Sequence, residues 1–190
     1  MKRFIAFLCA LLPACGGSYP PLDTVDSVDL QRYAGKWYEI ARLPNSFQDD
    51  CWNSTAEYEI IDSETIRVIN RCEEDSAGGE IDDVTGKAWV VEGSRNSKLK
   101  VSFFWPFKGD YWILELDEDY RWVAVGTPSR KYLWIMAREP RWDIVPLEDL
   151  KRRLADKGFD VTQLISTNNY PVAVRNAAPP RQEKKDDNTK

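Results

Sequence analysis

The stretch Gly35-Lys36-Trp37-Tyr38-Glu39-Ile40-Ala41-Arg42 decides how the rest of the chain is read. A glycine gives a flexible turn, and a large indole follows two residues later at the opening of a strand. A Gly-x-Trp triplet alone is a weak signal. It gains force from Arg138, which ends the last expected strand. A guanidinium stacked on a buried Trp37 face, while bonding backbone carbonyls, closes a barrel where its first and last strands meet. Glu39 shares the parity of Trp37 and Ala41, so it is expected to point inward. A buried carboxylate must find donors or stay protonated, and a tyrosine or arginine near the closed end is the expected partner.

The chain beyond this stretch is a succession of short runs rich in Val, Ile, Tyr, Phe and Trp, broken by turn residues every 8 to 12 positions or so, as in an antiparallel sandwich or barrel. Strands are expected near 36–43, 54–61, 64–71, 84–92, 97–104, 110–117, 121–127 and 131–138. Ala56, Tyr58 and Ile60 alternate with charged neighbours, as Leu99, Val101 and Phe103 do with polar ones, so these strands have one dry and one wet face. Trp122-Val123-Ala124-Val125 is apolar on both sides and needs a cover for its outer face. One helix is available, at 146–157, with Leu147, Leu150 and Leu154 on one stripe, acidic residues in its first turn and Gly158 as its stop.

The 190 residues are 43% hydrophobic and 12% aromatic, enough for one domain with a substantial core. Histidine is absent, which removes Ser-His-Asp and Cys-His catalysis, His-ligated haem and most zinc sites; no cofactor and no metal is expected. Met1-Lys2-Arg3 and the apolar run 4–12 form the charged and hydrophobic regions of a secretory signal, too short to span a bilayer. Without Lys2 and Arg3, 24 of the 26 basic residues face 31 acidic ones, a net charge of −7 that argues against nucleic acid as a partner. Residues 15–29 read as a tether, and the proline-rich, charged segment 173–190 as a disordered tail.

Cys51 and Cys72 flank the expected hairpin whose turn lies near Asp62 and Ser63, at similar distances from it. Antiparallel pairing brings them roughly opposite, so a disulfide is expected in an oxidising compartment, worth about 3 kcal/mol. Asn53-Ser54-Thr55 matches a glycosylation triplet, a pattern frequent by chance and given no weight. The aromatic run Phe103-Phe104-Trp105-Pro106-Phe107 either gates the mouth of the barrel and touches membrane, or is core, depending on which end it occupies.

GKWYEIARLP at 35–44, LKVSFFWPF at 99–107, YLWIMAREP at 132–140 and GFDVTQLI at 158–165, in this order and spacing, resemble the lipocalins, and among them the bacterial outer-membrane lipocalins, plant temperature-induced lipocalin and apolipoprotein D. The resemblance covers residues 29–168 and implies an all-β fold: an eight-stranded antiparallel up-and-down barrel with one C-terminal lateral α-helix, spanning 30–172, whose lumen binds an apolar ligand. Leu12-Pro13-Ala14-Cys15 resembles the lipobox of bacterial lipoproteins, in which the signal (1–14) is cut before a cysteine that carries a diacylglyceryl group. Gly16 then permits sorting to the outer membrane. Two or three acyl chains anchor far more firmly than one.

If Arg138 reaches Trp37 within the barrel, Tyr132, Trp134 and Met136 share its face. The other strands contribute Ala56, Tyr58, Ile60, Val68, Val101 and Phe103. Trp112 and Leu114 are expected to join this lining, from a strand whose parity reads either way. Such a wall, apolar with a few phenol and indole donors, suits a long acyl chain with a polar head, and points to storage or transfer of fatty acids or lysophospholipids in the cell envelope. Other readings of the same barrel are an isomerase or esterase, since some lipocalin isomerases use a cysteine in the lumen, a pigment or tetrapyrrole carrier, and a purely structural envelope protein. The sequence shows no pair of residues placed for acid and base work, so a binding protein rather than an enzyme is expected.

Overall fold

Asp29 begins the floor of the molecule. Its carboxylate accepts from the backbone N–H groups of Gln31 and Arg32 and caps a one-turn helix, α1 (Leu30–Tyr33). Gly35, at φ +90°, then turns the chain into the first strand. The computed structural model describes residues 19–141 and 143–167. Eight antiparallel strands follow: β1 (Gly35–Arg42), β2 (Cys51–Ile60), β3 (Thr65–Glu74), β4 (Ile81–Val90), β5 (Lys98–Ser102), β6 (Gly109–Leu116), β7 (Trp122–Gly126) and β8 (Leu133–Ala137). Each pairs with the next, and β1 pairs with both β8 and β2, closing the barrel. A two-residue strand, β9 (Ile165–Ser166), takes the place of β2 beside the far end of β1.

Up-and-down connectivity fixes which loops share an end. The α1 floor and the hairpins after β2, β4 and β6 lie at one end; the loops after β1, β3, β5 and β7 lie at the other. The floor is sealed by Trp37, which is fully buried and donates from its indole nitrogen to the Tyr33 carbonyl. Arg138 lies over its ring at 3.8 Å and donates to the carbonyls of Lys36, Arg32, Tyr33 and Tyr120.

Two cores result, one on each side of the sheet. The interior holds Tyr33, Trp37, Tyr58, Val68, Ile113, Val123, Val125 and Met136 among others. The exterior core forms beneath the helix α2 (Leu147–Asp156), where Leu150 and Leu154 pack on Ile40, Leu114, Ala124, Ile135 and Ala137. The doubly apolar β7 is thereby explained: 123 and 125 face in, 122 and 124 lie under the helix. Gly126 makes the close approach possible, since a Cβ there would stand 2.8 Å from the Phe159 ring.

Three local insertions in the ladders govern which residues face which core. The register of β1 against β8 shifts between Glu39 and Ala41, that of β2 against β3 between Trp52 and Thr55, and that of β6 against β7 between Ile113 and Glu115. Two expectations are corrected by them. Ala41 lies in the exterior core, and it is Arg42 that joins Glu39 on the inner face. Trp112 and Leu114 also face outward, towards the helix; the strand presents Tyr111, Ile113 and Leu116 to the lumen instead.

Residues 19–29 are also not a free tether over their described length. Leu22 is buried in the exterior core and Val28 in the interior one, and Val25 and Val28 bond from their backbone N–H groups to the carbonyls of Ile113 and Arg95. Cys51 and Cys72 form a disulfide, with Cα atoms 5.3 Å apart. The signal (1–14), Cys15 and the tail (173–190) lie outside the described residues.

Candidate functional site

The interior is organised in tiers. At the lower tier three phenols meet: the Tyr111 hydroxyl lies 2.6 Å from that of Tyr33 and 2.7 Å from that of Tyr58, joining α1, β2 and β6. The rings of Tyr33, Trp37 and Tyr58 stack in a tilted series around them. Three hydroxyl hydrogens serve two bonds, so the chain keeps one donor beyond its own needs. Burial is the main cause that pushes all three pKa values above the ordinary tyrosine value, and like-charge repulsion between the phenolates adds to it for Tyr33 and Tyr111.

A pH dependence follows. These phenols bind protons more tightly folded than unfolded, so their contribution to stability is complete below about pH 10 and declines as pH rises from there towards the folded values. In a spectrophotometric titration at the phenolate band, Tyr33, Tyr58 and Tyr111 are expected to ionise late, together with unfolding. Phe substitution at Tyr111 should remove one late-titrating group and flatten the alkaline limb of the stability curve.

The middle tier is polar, because the insertion at Ile40 turns Arg42 inward. Arg42 donates to the Glu39 carboxylate at 2.8 Å, with both side chains almost fully buried, and also to the Gln48 carbonyl. Gln48 ties the group together: its amide nitrogen donates to Glu39, and its amide oxygen accepts from Trp134 and Asn45. The expected partner of Glu39 is thus an arginine, placed towards the open end rather than the closed one. Ser54 Oγ, Asn70 Oδ1 and Arg42 Nε are buried here without a hydrogen-bond partner in the protein.

The sequence-derived wall residues distribute unevenly over these tiers. Ala56, Tyr58, Val68 and Met136 belong to the interior core, and Val101, Phe103 and Trp134 pack against it. Ile60, half-buried, pairs with Ile66 at the closed end and lies outside that cluster. Tyr132 precedes β8, stacks with Trp134 and packs at a tilt against Phe47 at the mouth. Tyr33 and Tyr111, central to the lower tier, lie outside the sequence-derived wall. For Tyr33 a signal exists, the Asp29 cap just before Leu30-Gln31-Arg32-Tyr33, which marks a helical turn directed at the barrel. For Tyr111 only the strand's parity could have found it.

The loop 103–107 lies at the open end. Phe104, Trp105 and Phe107 are 72%, 75% and 78% exposed there, and Phe47 and Ile81 are exposed on the same rim. At this end, too, the N-terminal segment arrives: Arg130, in the loop after β7, donates to the carbonyls of Pro20 and Lys157 and lies over the Tyr19 ring.

A closed antiparallel barrel with a stoppered floor and an aromatic and aliphatic interior interrupted by one buried polar tier has the architecture of a class of small-ligand carriers. A lipocalin-like domain family matches residues 28–169, and the chain belongs to the lipocalins. It is 38% identical to the outer membrane lipoprotein Blc of Vibrio cholerae over 87% of this chain and 97% of that one, and 36% identical to its Escherichia coli K12 counterpart over 82% and 88%. Temperature-induced lipocalin-1 of Arabidopsis thaliana is 34% identical over 77% and 82%. Among solved structures, insecticyanin from the tobacco hornworm superposes with a TM-score of 0.63 at 20% identity, covering 82% of this chain and 88% of that one, and so shares the fold. Lipocalins bind small hydrophobic ligands, and these relatives are named as lipoproteins and lipocalins rather than enzymes. No helix among the described residues is long and apolar enough to cross a membrane.

Proposed function

We propose that this protein binds fatty acids or lysophospholipids and stores or transfers them in the cell envelope, held at the outer membrane by acyl chains on Cys15 and facing the periplasm. The observation that carries the reading is the barrel interior: a largely apolar wall, a spare phenolic donor at the floor, a buried polar tier above it and a mouth rimmed by exposed aromatics. Burying a dozen methylenes offers roughly 10 kcal/mol gross, enough for reversible binding after the cost of association. The naming of the bacterial relatives as outer membrane lipoproteins supports the anchor. Geometry supports it as well. Only three residues separate Cys15 from Tyr19, so an anchored chain holds the open end within about 15 Å of the bilayer surface.

The test is mass spectrometry of lipid carried by protein purified from its native host without delipidation, followed by tryptophan fluorescence during titration with palmitate. Copurified acyl lipid and a saturable change are expected. An empty barrel whose emission ignores palmitate overturns the lipid reading. Membrane fractionation of Cys15→Ser tests the anchor separately: release into the periplasm is expected, and unchanged membrane attachment overturns it.

A further inference from the structure

The barrel wall is not continuous near its mouth. β4 pairs with β5 only over residues 87–90, because β5 ends at Ser102 and the chain leaves into the 103–108 loop. Among the described residues, positions 81–86 therefore have no partner strand on that side. At this gap the outer wall carries a cavity of about 360 Å³, lined by Arg67, Gly86, Lys87, Trp89, Phe103 and Trp105 among others.

The lining has two parts. One is basic and aromatic: Arg67 and Lys87, neighbours in the cross-strand register, with Trp89 and Trp105, over whose rings the ammonium of Lys108, itself outside the lining, stands at 4.6 and 5.3 Å from the ring centres. Arg67 is ion-paired with Glu59, whereas Lys87 and Lys108 have no carboxylate partner among the described residues. In a chain of net charge −5, two uncompensated cations flanking one cavity select for an anion. The other part is a door. Gly86 is in register with Val68, which belongs to the interior core, and a Cβ at 86 would stand 2.7 Å from Phe103 Cδ1. The Phe103 ring occupies the space a side chain at 86 would need. It packs on the interior core with one part of its surface and lines the outer cavity with another.

We propose that this cavity is a lateral vestibule for the anionic head of a single-chain lipid, whose acyl chain enters the lumen between β4 and Phe103. The inference rests on the lumen being a lipid site, as proposed above. The phosphate or carboxylate sits between Lys87 and Lys108, the first methylenes lie on Trp89 and Trp105, and Phe103 swings to admit the chain. Entry then proceeds through the wall as well as the mouth.

The test compares 1-palmitoyl lysophosphatidate with 1-palmitoylglycerol, which share the acyl chain and glycerol and differ by the phosphate, using stopped-flow tryptophan fluorescence on the full mature protein. Lys87→Gln/Lys108→Gln is expected to slow entry of lysophosphatidate about tenfold and to leave palmitoylglycerol unchanged. Phe103→Ala is expected to speed both, and inorganic phosphate to slow lysophosphatidate alone. Equal effects of the lysine changes on the two lipids, or none, overturn the vestibule while leaving the lumen reading intact. Phosphate binding that alters neither lipid's entry also overturns it, reducing the cavity to an isolated anion site. Wild-type protein that takes up neither lipid overturns the lumen reading itself.

Discussion

Replacing Trp37 with alanine is expected to lower the free energy of unfolding by about 4 kcal/mol, the range for a buried aromatic whose site cannot collapse. The site cannot collapse because the indole is held on three sides. Its nitrogen donates to the Tyr33 carbonyl, its face carries the Arg138 guanidinium, and the Tyr33 ring lies 5.1 Å away. Removing it leaves Arg138 bonded to four carbonyls but without its stacking surface. Urea denaturation followed by circular dichroism measures the loss. A change under 1 kcal/mol would mean that α1 and Arg138 seal the floor without the indole.

Arg42→Met is expected to cost 3 to 5 kcal/mol or so, because it leaves the Glu39 carboxylate buried with Gln48 as its remaining donor. Glu39→Leu should cost a similar amount by stranding the guanidinium. The double variant should lose far less than the sum, since an apolar pair of similar volume carries no uncompensated charge. A double-mutant cycle in urea gives the coupling directly. Additive losses would show that the two side chains act independently despite their 2.8 Å contact.

The sequence carried most of the fold because its signals were local. Gly35 and Trp37, the alternation in β2 and β5, and the Leu147, Leu150 and Leu154 stripe each declare an element from a few neighbouring residues. What escaped depends on single inserted positions. Alternation assigns faces only until a strand gains a residue, and the insertions at Ile40 and Leu114 each reverse the parity beyond them; no composition marks either. So alternation places Ala41 inward, although it packs under the helix, and passes over Arg42; and because Leu116, beyond the second insertion, faces the lumen, the same parity places Trp112 and Leu114 inward and passes over Tyr111. The 19–29 segment reads as a tether for another reason: Leu22 and Val28 are isolated apolar residues among aspartates, and their partners lie in strands far along the chain.

The Arg130 clamp on the N-terminal segment has a mechanical consequence. A pull applied from the chain's beginning reaches first the bond from Arg130 to the Pro20 carbonyl, then Leu22, and only afterwards the floor at Val28 and Tyr33. If the amino terminus is anchored as proposed, tension along it loads the β7–β8 loop and the end of α2 before the seal beneath the lumen. In that arrangement the clamp is placed as a strain relief, since load arriving along the N-terminal segment meets the rim before the floor.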